Sequence, residues 1–469
     1  MSLIKSISGI RGTIGGCEGD GLTPVDVVKF TAAFTTFLQR SKADGKLTVV
    51  VGRDARVSGP MVDHLVVGTL QGMGADVIET GLSTTPTVEM SVIGSHADGG
   101  IIITASHNPG HWNALKLLNS NGEFINDAEG KEVLRIAAEG DYRFAEVDRL
   151  GNVREEHDWI DRHIDSVLAL PLVDRDAIAR AGLRVAVDAV DSTGGLAIPR
   201  LLRRLGVEQV VELNCVPTGL FSHNPEPIPA NLTGIATAVP QHGCDLGVVV
   251  DPDVDRLALV CEDGTMFGEE YTLVAVADYV LHHTPGNTVS NLSSSRALRD
   301  VTARYAGCSY SAAAVGEVNV TTQMKATDAV IGGEGNGGVI YPALHYGRDA
   351  LVGVALFLSM FAQRRLQNAD NVLTMSCLRA EYPQYVISKN RKDLTPDIDV
   401  DALLHRVAAR YEALPDCAVT TIDGVKIDFA DGWVHLRKSN TEPIVRVYSE
   451  AATADRADSL ASEVMQMLQ

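Results

Sequence analysis

No segment of the 469-residue chain approaches the ~18 consecutive apolar residues of a membrane span, and MSLIKSISGIRG at the start lacks a signal peptide's apolar core. A cytoplasmic protein is expected. No Lys/Arg-rich run offsets the formal net charge of −20, so nucleic-acid phosphates or an anionic membrane would be repelled over most of the surface. Neither partner is expected. Cysteine is sparse and scattered, seven residues at 17, 215, 244, 261, 308, 377 and 417, an odd total without close pairing. That excludes a disulfide framework and a zinc site and suits reduced thiols.

What is present is the composition of a soluble globular protein, 45% hydrophobic and 21% charged, which argues against disorder for the bulk of the chain. The length calls for three or four domains. Strands and helices alternate from the start. Thr23-Pro24 opens a helix over Val27 to Leu38, Leu47–Gly52 is a buried strand, a helix follows over 59–72, and Ala75–Glu79 and Ile101–Ile103 are further strands. This pattern predicts a βαβ domain with a largely parallel sheet over residues 1–150, ended by the charged stretch 139–157. A second α/β domain is placed at 151–256, from the strand Leu183–Asp188 to Asp245–Val250, and a third at 257–370, closing on the apolar helix Leu351–Leu366. Residues 371–469 lose the alternation and read as an α+β domain.

Four stretches carry chemistry. The run Ile101–Ile103 ends in Thr104-Ala105-Ser106-His107-Asn108-Pro109-Gly110, so a buried strand delivers the Ser106 hydroxyl onto a turn at its C-terminal rim, where α/β sheets bind ligands. Asp251-Pro252-Asp253-Val254-Asp255-Arg256 sets three carboxylates at alternate positions between two apolar runs, hard oxygen ligands for one divalent ion. Mg²⁺ needs few protein carboxylates when a phosphate and waters complete its shell. A calcium loop is the competitor, with Glu262 at its twelfth position, but Arg256 replaces the required glycine; a metal-free acidic loop is the other. Glu334 and Asn336, within Gly332–Gly338, offer polar groups among glycines that let a ligand come close. Arg437, Ser439, Asn440, Thr441 and Arg446 can surround a phosphate dianion, or form an exposed turn.

The string TASHNP with Lys116 ten residues on resembles the phosphoserine loop of the α-D-phosphohexomutases. The resemblance implies three α/β domains of mixed sheets and a C-terminal α+β domain around a central cleft. It implies that Ser106 carries a phosphoryl group and that Asp251, Asp253 and Asp255, with Ser106, hold one Mg²⁺ per chain. Arg256 would lie near the phosphoserine, Arg11 would neutralise the transferring group, and Glu334 and Asn336 would grip sugar hydroxyls. The loop 437–443 would hold the phosphate that is not reacting, with Asn440 where glycine is common. His107 and Lys116 are the acid–base candidates, His107 equally a loop anchor; neighbouring cations are expected to lower the pKa of Lys116.

The expected activity moves phosphate between O6 and O1 of a hexose through a 1,6-bisphosphate, which is both intermediate and activator, in a monomer or homodimer. Glu317, after Val315-Gly316, matches the acidic residue of family members that act on glucosamine phosphate, where a carboxylate can meet a 2-ammonium. Thr104 where many of those members have serine, and Gly338 where a histidine is frequent, depart from their pattern. The alternative substrates are mannose and glucose phosphates. Of other classes, a serine hydrolase lacks its Gly-x-Ser-x-Gly elbow at Ser106, and a calcium-dependent binding protein would need no phosphoserine.

Overall fold

Strand alternation builds the first layers. Val49, Val51, Ile101 and Ile103 face Phe30 and Phe34 of the helix Pro24–Ser41, while Val50 and Ile102 face Val88 and Val92 of the helix Thr85–Ser95. Each such buried side chain contributes about 1.5–3 kcal/mol, so the two faces fix which residues of the rim point up into the site. The helix Pro24–Ser41 starts where expected because Thr23 and Asp26 form a reciprocal capping box ahead of a proline. The structure, a computed structural model, describes residues 2–6, 9–367, 372–393, 399–438 and 444–467.

The described chain forms two compact units. The first comprises residues 1–279 and 337–377. Its larger sheet runs in the order Leu3–Ser6, Gly9–Thr13, Trp112–Leu118, Gly99–Ile103, Thr48–Arg53, Asp76–Leu82, Val153–Glu155. This sheet is mixed, not largely parallel. The turn after Ile103 is too short for a crossover, so Trp112–Leu118 returns antiparallel beside Gly99–Ile103, and Gly9–Thr13 joins it antiparallel. Val153–Glu155 pairs with Asp76–Leu82, which carries this sheet past residue 150.

The second sheet of this unit runs Leu257–Cys261, Leu246–Val250, Arg184–Asp188, Gln209–Leu213. Leu257–Cys261 pairs antiparallel with Leu246–Val250, so the three-aspartate loop is the turn of a hairpin and the strand after it belongs to the second domain. The apolar helix Ala350–Gln367 packs in this unit against Trp159–Leu168, Arg175–Ala181 and Gly194–Leu205.

The second unit comprises residues 280–336 and 378–469. Tyr310–Ala313, Asn287–Asn291 and Ala329–Glu334 pair parallel in this unit, as three strands of a four-stranded sheet. The other is fully antiparallel, in the order Val386–Asp393, Ile444–Ala451, Gly432–Lys438, Val425–Phe429, Cys417–Thr420, covered by helices Val400–Glu412 and Ala454–Gln466. The boundary expected at 370/371 lies outside the described residues.

Candidate active site

Ser106 sits just past the strand Gly99–Ile103 with φ +49°, a left-handed conformation costing about 1–2 kcal/mol for a residue with a Cβ. The strain is held by neighbours. The Ser106 N–H donates to Thr104 Oγ1 (2.9 Å), and Thr104 Oγ1 donates to Asp54 Oδ2 (2.7 Å). The Ser106 hydroxyl donates to Asp251 Oδ2 at 2.8 Å, which brings the serine loop of the first sheet onto the hairpin loop of the second.

Asp251, Asp253 and Asp255 are fully buried, with carboxylate oxygens within 4.8 Å of one another. Val254, between two of them, has φ +64°, and this reversal folds all three carboxylates to one side. Asp251 Oδ1 accepts the N–H groups of Asp255 and Arg256. Asp253 Oδ1 and Asp255 Oδ1 are buried and accept no hydrogen bond from the described residues, which leaves two anionic oxygens able to take a metal cation. Burial, and then the charges of Asp255 and Asp253, push the Asp251 carboxyl well above the usual range. Two unsatisfied hard oxygens beside a like-charged third fit a divalent cation with oxygen-rich coordination. Glu262, the twelfth position of a calcium loop, instead accepts the N–H (3.1 Å) and hydroxyl of Ser376, and strands flank the loop on both sides. That arrangement is no calcium-binding helix–loop–helix.

Cations line the same loop. Lys116, opposite Ile102 on the returning strand, donates to Asp253 Oδ2 at 2.7 Å and lies 3.5 Å from Asp255 Oδ2. Burial works to lower its pKa, but Asp253 and Asp255 outweigh burial and raise it. The lowered value expected from neighbouring cations is therefore corrected, because the aspartates are closer partners than the arginines. Arg348 pairs with Asp255 Oδ2 at 2.6 Å, and Arg256 Nε lies 3.9 Å from Asp255 Oδ1. Arg11, on the strand Gly9–Thr13, donates to Asn108 Oδ1 (2.7 Å), and burial lowers its pKa. His107 Nδ1 is 3.4 Å from Ser106 Oγ; burial, then Arg256 and Arg11, hold its pKa down to about 2.

The other candidates lie in the second unit. Glu334 ends the strand Ala329–Glu334, and its Oε1 accepts Asn291 Nδ2 (2.8 Å) and the Gly316 N–H (3.0 Å). Glu317 is buried at the start of the helix Glu317–Ala326, and Asn336 is half-buried in the turn after Glu334. Arg437 and Arg446 are directly opposite across two antiparallel strands, and Arg391 is opposite Arg446 on the other side. Three guanidiniums in one row repel unless an anion lies among them. Ser439, Asn440 and Thr441 lie outside the described residues.

Residues 3–144, 161–264, 268–376 and 398–467 match, in order, the phosphoglucomutase/phosphomannomutase alpha/beta/alpha domains I, II and III and the C-terminal domain. The chain belongs to this family. It is a phosphohexomutase-type isomerase by that membership. A Thermococcus kodakarensis protein named phosphoglucomutase/phosphomannomutase is 36% identical over 450 residues, 95% of each chain. A Methanopyrus kandleri protein named "Probable phosphoglucosamine mutase" is 31% identical, over 98% of this chain and 96% of that one. A solved phosphoglucomutase/phosphomannomutase family protein from Burkholderia thailandensis has the same fold, with TM-score 0.83 at 24% identity, covering 99% of this chain and 98% of that chain.

Several residues around the site were not singled out from the sequence. Arg56 is wholly buried and spends its donors on Asp54 Oδ2 and on the carbonyls of Ser106, Asn108, Pro109 and Trp112. The Arg53–Arg56 run after a strand was its only signal. Thr85 fastens Asp253, donating its N–H to the carbonyl (2.8 Å) and its hydroxyl to Oδ2 (2.7 Å). A second buried group, His163, His345 and Asp349, is knit by hydrogen bonds: both Nε2 atoms meet Asp349 Oδ2, while the Nδ1 atoms face Thr87 and Glu89. Three of the four ring nitrogens are hydrogen-bonded and the fourth, His345 Nδ1, lies 3.3 Å from Glu89 Oε2, so the cluster reads as a structural tie between Thr85–Ser95, Trp159–Leu168 and the start of Ala350–Gln367.

Proposed function

We propose that this chain is a cytoplasmic phosphoglucosamine mutase, interconverting glucosamine 6-phosphate and glucosamine 1-phosphate through a phosphoserine at Ser106. The observation that carries the reading is the Ser106 hydroxyl 2.8 Å from a buried cluster of three aspartates with two unsatisfied oxygens. Asp251, Asp253 and Asp255, with an oxygen on Ser106, would hold Mg²⁺. The ion would neutralise the carboxylates and polarise the phosphoryl group being transferred.

The chain's own residues do the rest. In the first half-reaction the bond from phosphorus to Ser106 Oγ breaks and a bond to the sugar's free hydroxyl forms, giving the 1,6-bisphosphate. The intermediate turns over, and its other phosphate returns to Ser106. Such a transfer depends on positioning and charge neutralisation more than on covalent work, which Arg11 and Arg256 supply. His107 and Lys116 are the acid–base pair. Neutral His107 is the member able to accept the attacking sugar hydroxyl's proton and charged Lys116 gives one to the leaving Ser106 Oγ; both transfers reverse in the second half-reaction, which restores the pair. Glu334 and Asn336 bind sugar hydroxyls. Arg437 and Arg446, with Ser439, Asn440 and Thr441, hold the idle phosphate.

The choice of glucosamine rests on Glu317, whose carboxylate can meet a 2-ammonium, and agrees with the name of the M. kandleri relative. The name of the T. kodakarensis relative supports a second reading, glucose and mannose phosphates. Initial rates on glucosamine 6-phosphate, glucose 1-phosphate and mannose 1-phosphate, each primed with its 1,6-bisphosphate and Mg²⁺, separate the two. Glucosamine 6-phosphate is expected to give the highest kcat/KM. A clear preference for mannose 1-phosphate would overturn the assignment.

A further inference from the structure

Within the second unit one carboxylate bridges two elements that the proposed reaction uses separately. Asp423 lies in the turn between the strands Cys417–Thr420 and Val425–Phe429, ahead of Gly424, whose φ of +68° and close approach to the Leu436 carbonyl leave no room for a Cβ. This tight turn holds Asp423 in place. Its Oδ2 lies 2.8 Å from Arg437 Nε and accepts the Val315 N–H at 3.0 Å. The first is the guanidinium assigned to the idle phosphate; the second opens the turn that presents Glu317.

The bridge is part of a closed circuit. From Val315 the chain passes to Gly316, whose N–H donates to Glu334 Oε1, the oxygen that also accepts Asn291 Nδ2. Asn291 Oδ1 accepts the Ser293 N–H, Ser293 Oγ meets His435 Nδ1 at 2.9 Å, and His435 Nε2 donates to the Asp423 carbonyl at 2.7 Å. Burial, chief among the influences on it, holds the His435 pKa down to about 4, so the ring is neutral with its proton on Nε2. Every link is between groups of complementary donor and acceptor type, and the circuit joins the C-terminal antiparallel sheet to the parallel one.

We infer that Asp423 is a specificity-positioning residue that registers the phosphate-holding Arg437 against the Val315-Gly316-Glu317 turn, so that the grip on phosphate sets where the sugar's C2 substituent is read. The inference rests on the proposed reaction and deepens it. Asp423 touches no reacting atom; it acts through Arg437 and through the turn.

Two substitutions take the bridge apart. Asp423→Asn keeps an oxygen for the Val315 N–H but removes the charge facing Arg437. It is expected to raise KM about tenfold for every hexose phosphate, with kcat and the substrate preference kept. Asp423→Ala removes both links and is expected to add a loss of preference, lowering the ratio of kcat/KM between the preferred and second-best hexose phosphate at least about fivefold. Asp423→Ser, too short to bridge, replaces it should the alanine variant fail to fold. An unchanged KM in Asp423→Asn overturns the inference. So does an alanine or serine variant that slows all sugars by one common factor, as a merely structural role would. The ratio is taken for whichever hexose the wild-type enzyme prefers, so a wrong choice of sugar sinks the substrate assignment and leaves this test intact.

Discussion

Ser106→Ala yields a folded protein that interconverts hexose phosphates slower than wild type by on the order of 10⁴-fold or more, the scale on which removing a covalent nucleophile acts. The fold tolerates the change because the loop is held by backbone groups. The Thr104 hydroxyl still takes the residue 106 N–H, and Arg56 still binds the carbonyl. The variant loses the hydroxyl's hydrogen bond to Asp251, worth about 1–2 kcal/mol, and its long contact with His107 Nδ1. A coupled assay for the 1-phosphate product, alongside a circular dichroism melt, checks both halves. A variant that melts like wild type but keeps more than a tenth of the rate would remove Ser106 from the reaction.

Arg56→Ala is the most damaging single change expected for stability. The guanidinium is fully buried, pairs with Asp54, and ties down four carbonyls of the serine loop. Burial already pushes the Asp54 carboxyl above its usual range even with Arg56 beside it. Removing the partner leaves a buried carboxylate and four carbonyls short of donors, a cost of about 3–5 kcal/mol. Arg56→Lys is the sharper probe of function. Lysine keeps the charge but cannot reproduce a five-donor planar fork, so the loop keeps its fold and loses its aim. We expect kcat to fall about 10- to 100-fold with KM within about twofold, because a misplaced nucleophile affects the chemical step and not sugar binding. Steady-state kinetics and urea melts of the two variants test this; an unchanged kcat in Arg56→Lys would deny the loop its dependence on Arg56.

Much of this was legible in the sequence where local rules govern. The helix Pro24–Ser41 followed from Thr23 and Pro24, and the helix Ala350–Gln367 from its apolar run. The three aspartates point together because alternation and the Val254 reversal act within six residues. What was misread depends on how a turn closes or on partners far along the chain. The direction of Trp112–Leu118 is set by how the serine turn closes, and the charge state of Lys116 by carboxylates 137 and 139 positions away. Arg56 and Asp423 were passed over for the same reason: each looks like an ordinary charged turn residue until distant groups gather round it. Arg391 becomes part of an arginine row only through strand register, which no local pattern reveals.

The central claim is that the Ser106 oxygen carries the phosphoryl group in transit. Intact-mass spectrometry of the protein, after incubation with a hexose 1,6-bisphosphate and Mg²⁺ and removal of small molecules, reads it directly. The account predicts a gain of about 80 Da, one phosphoryl group, mapped by peptide sequencing to Ser106 and lost when hexose monophosphate is added. No gain in mass, or a gain on a residue other than Ser106, would contradict it.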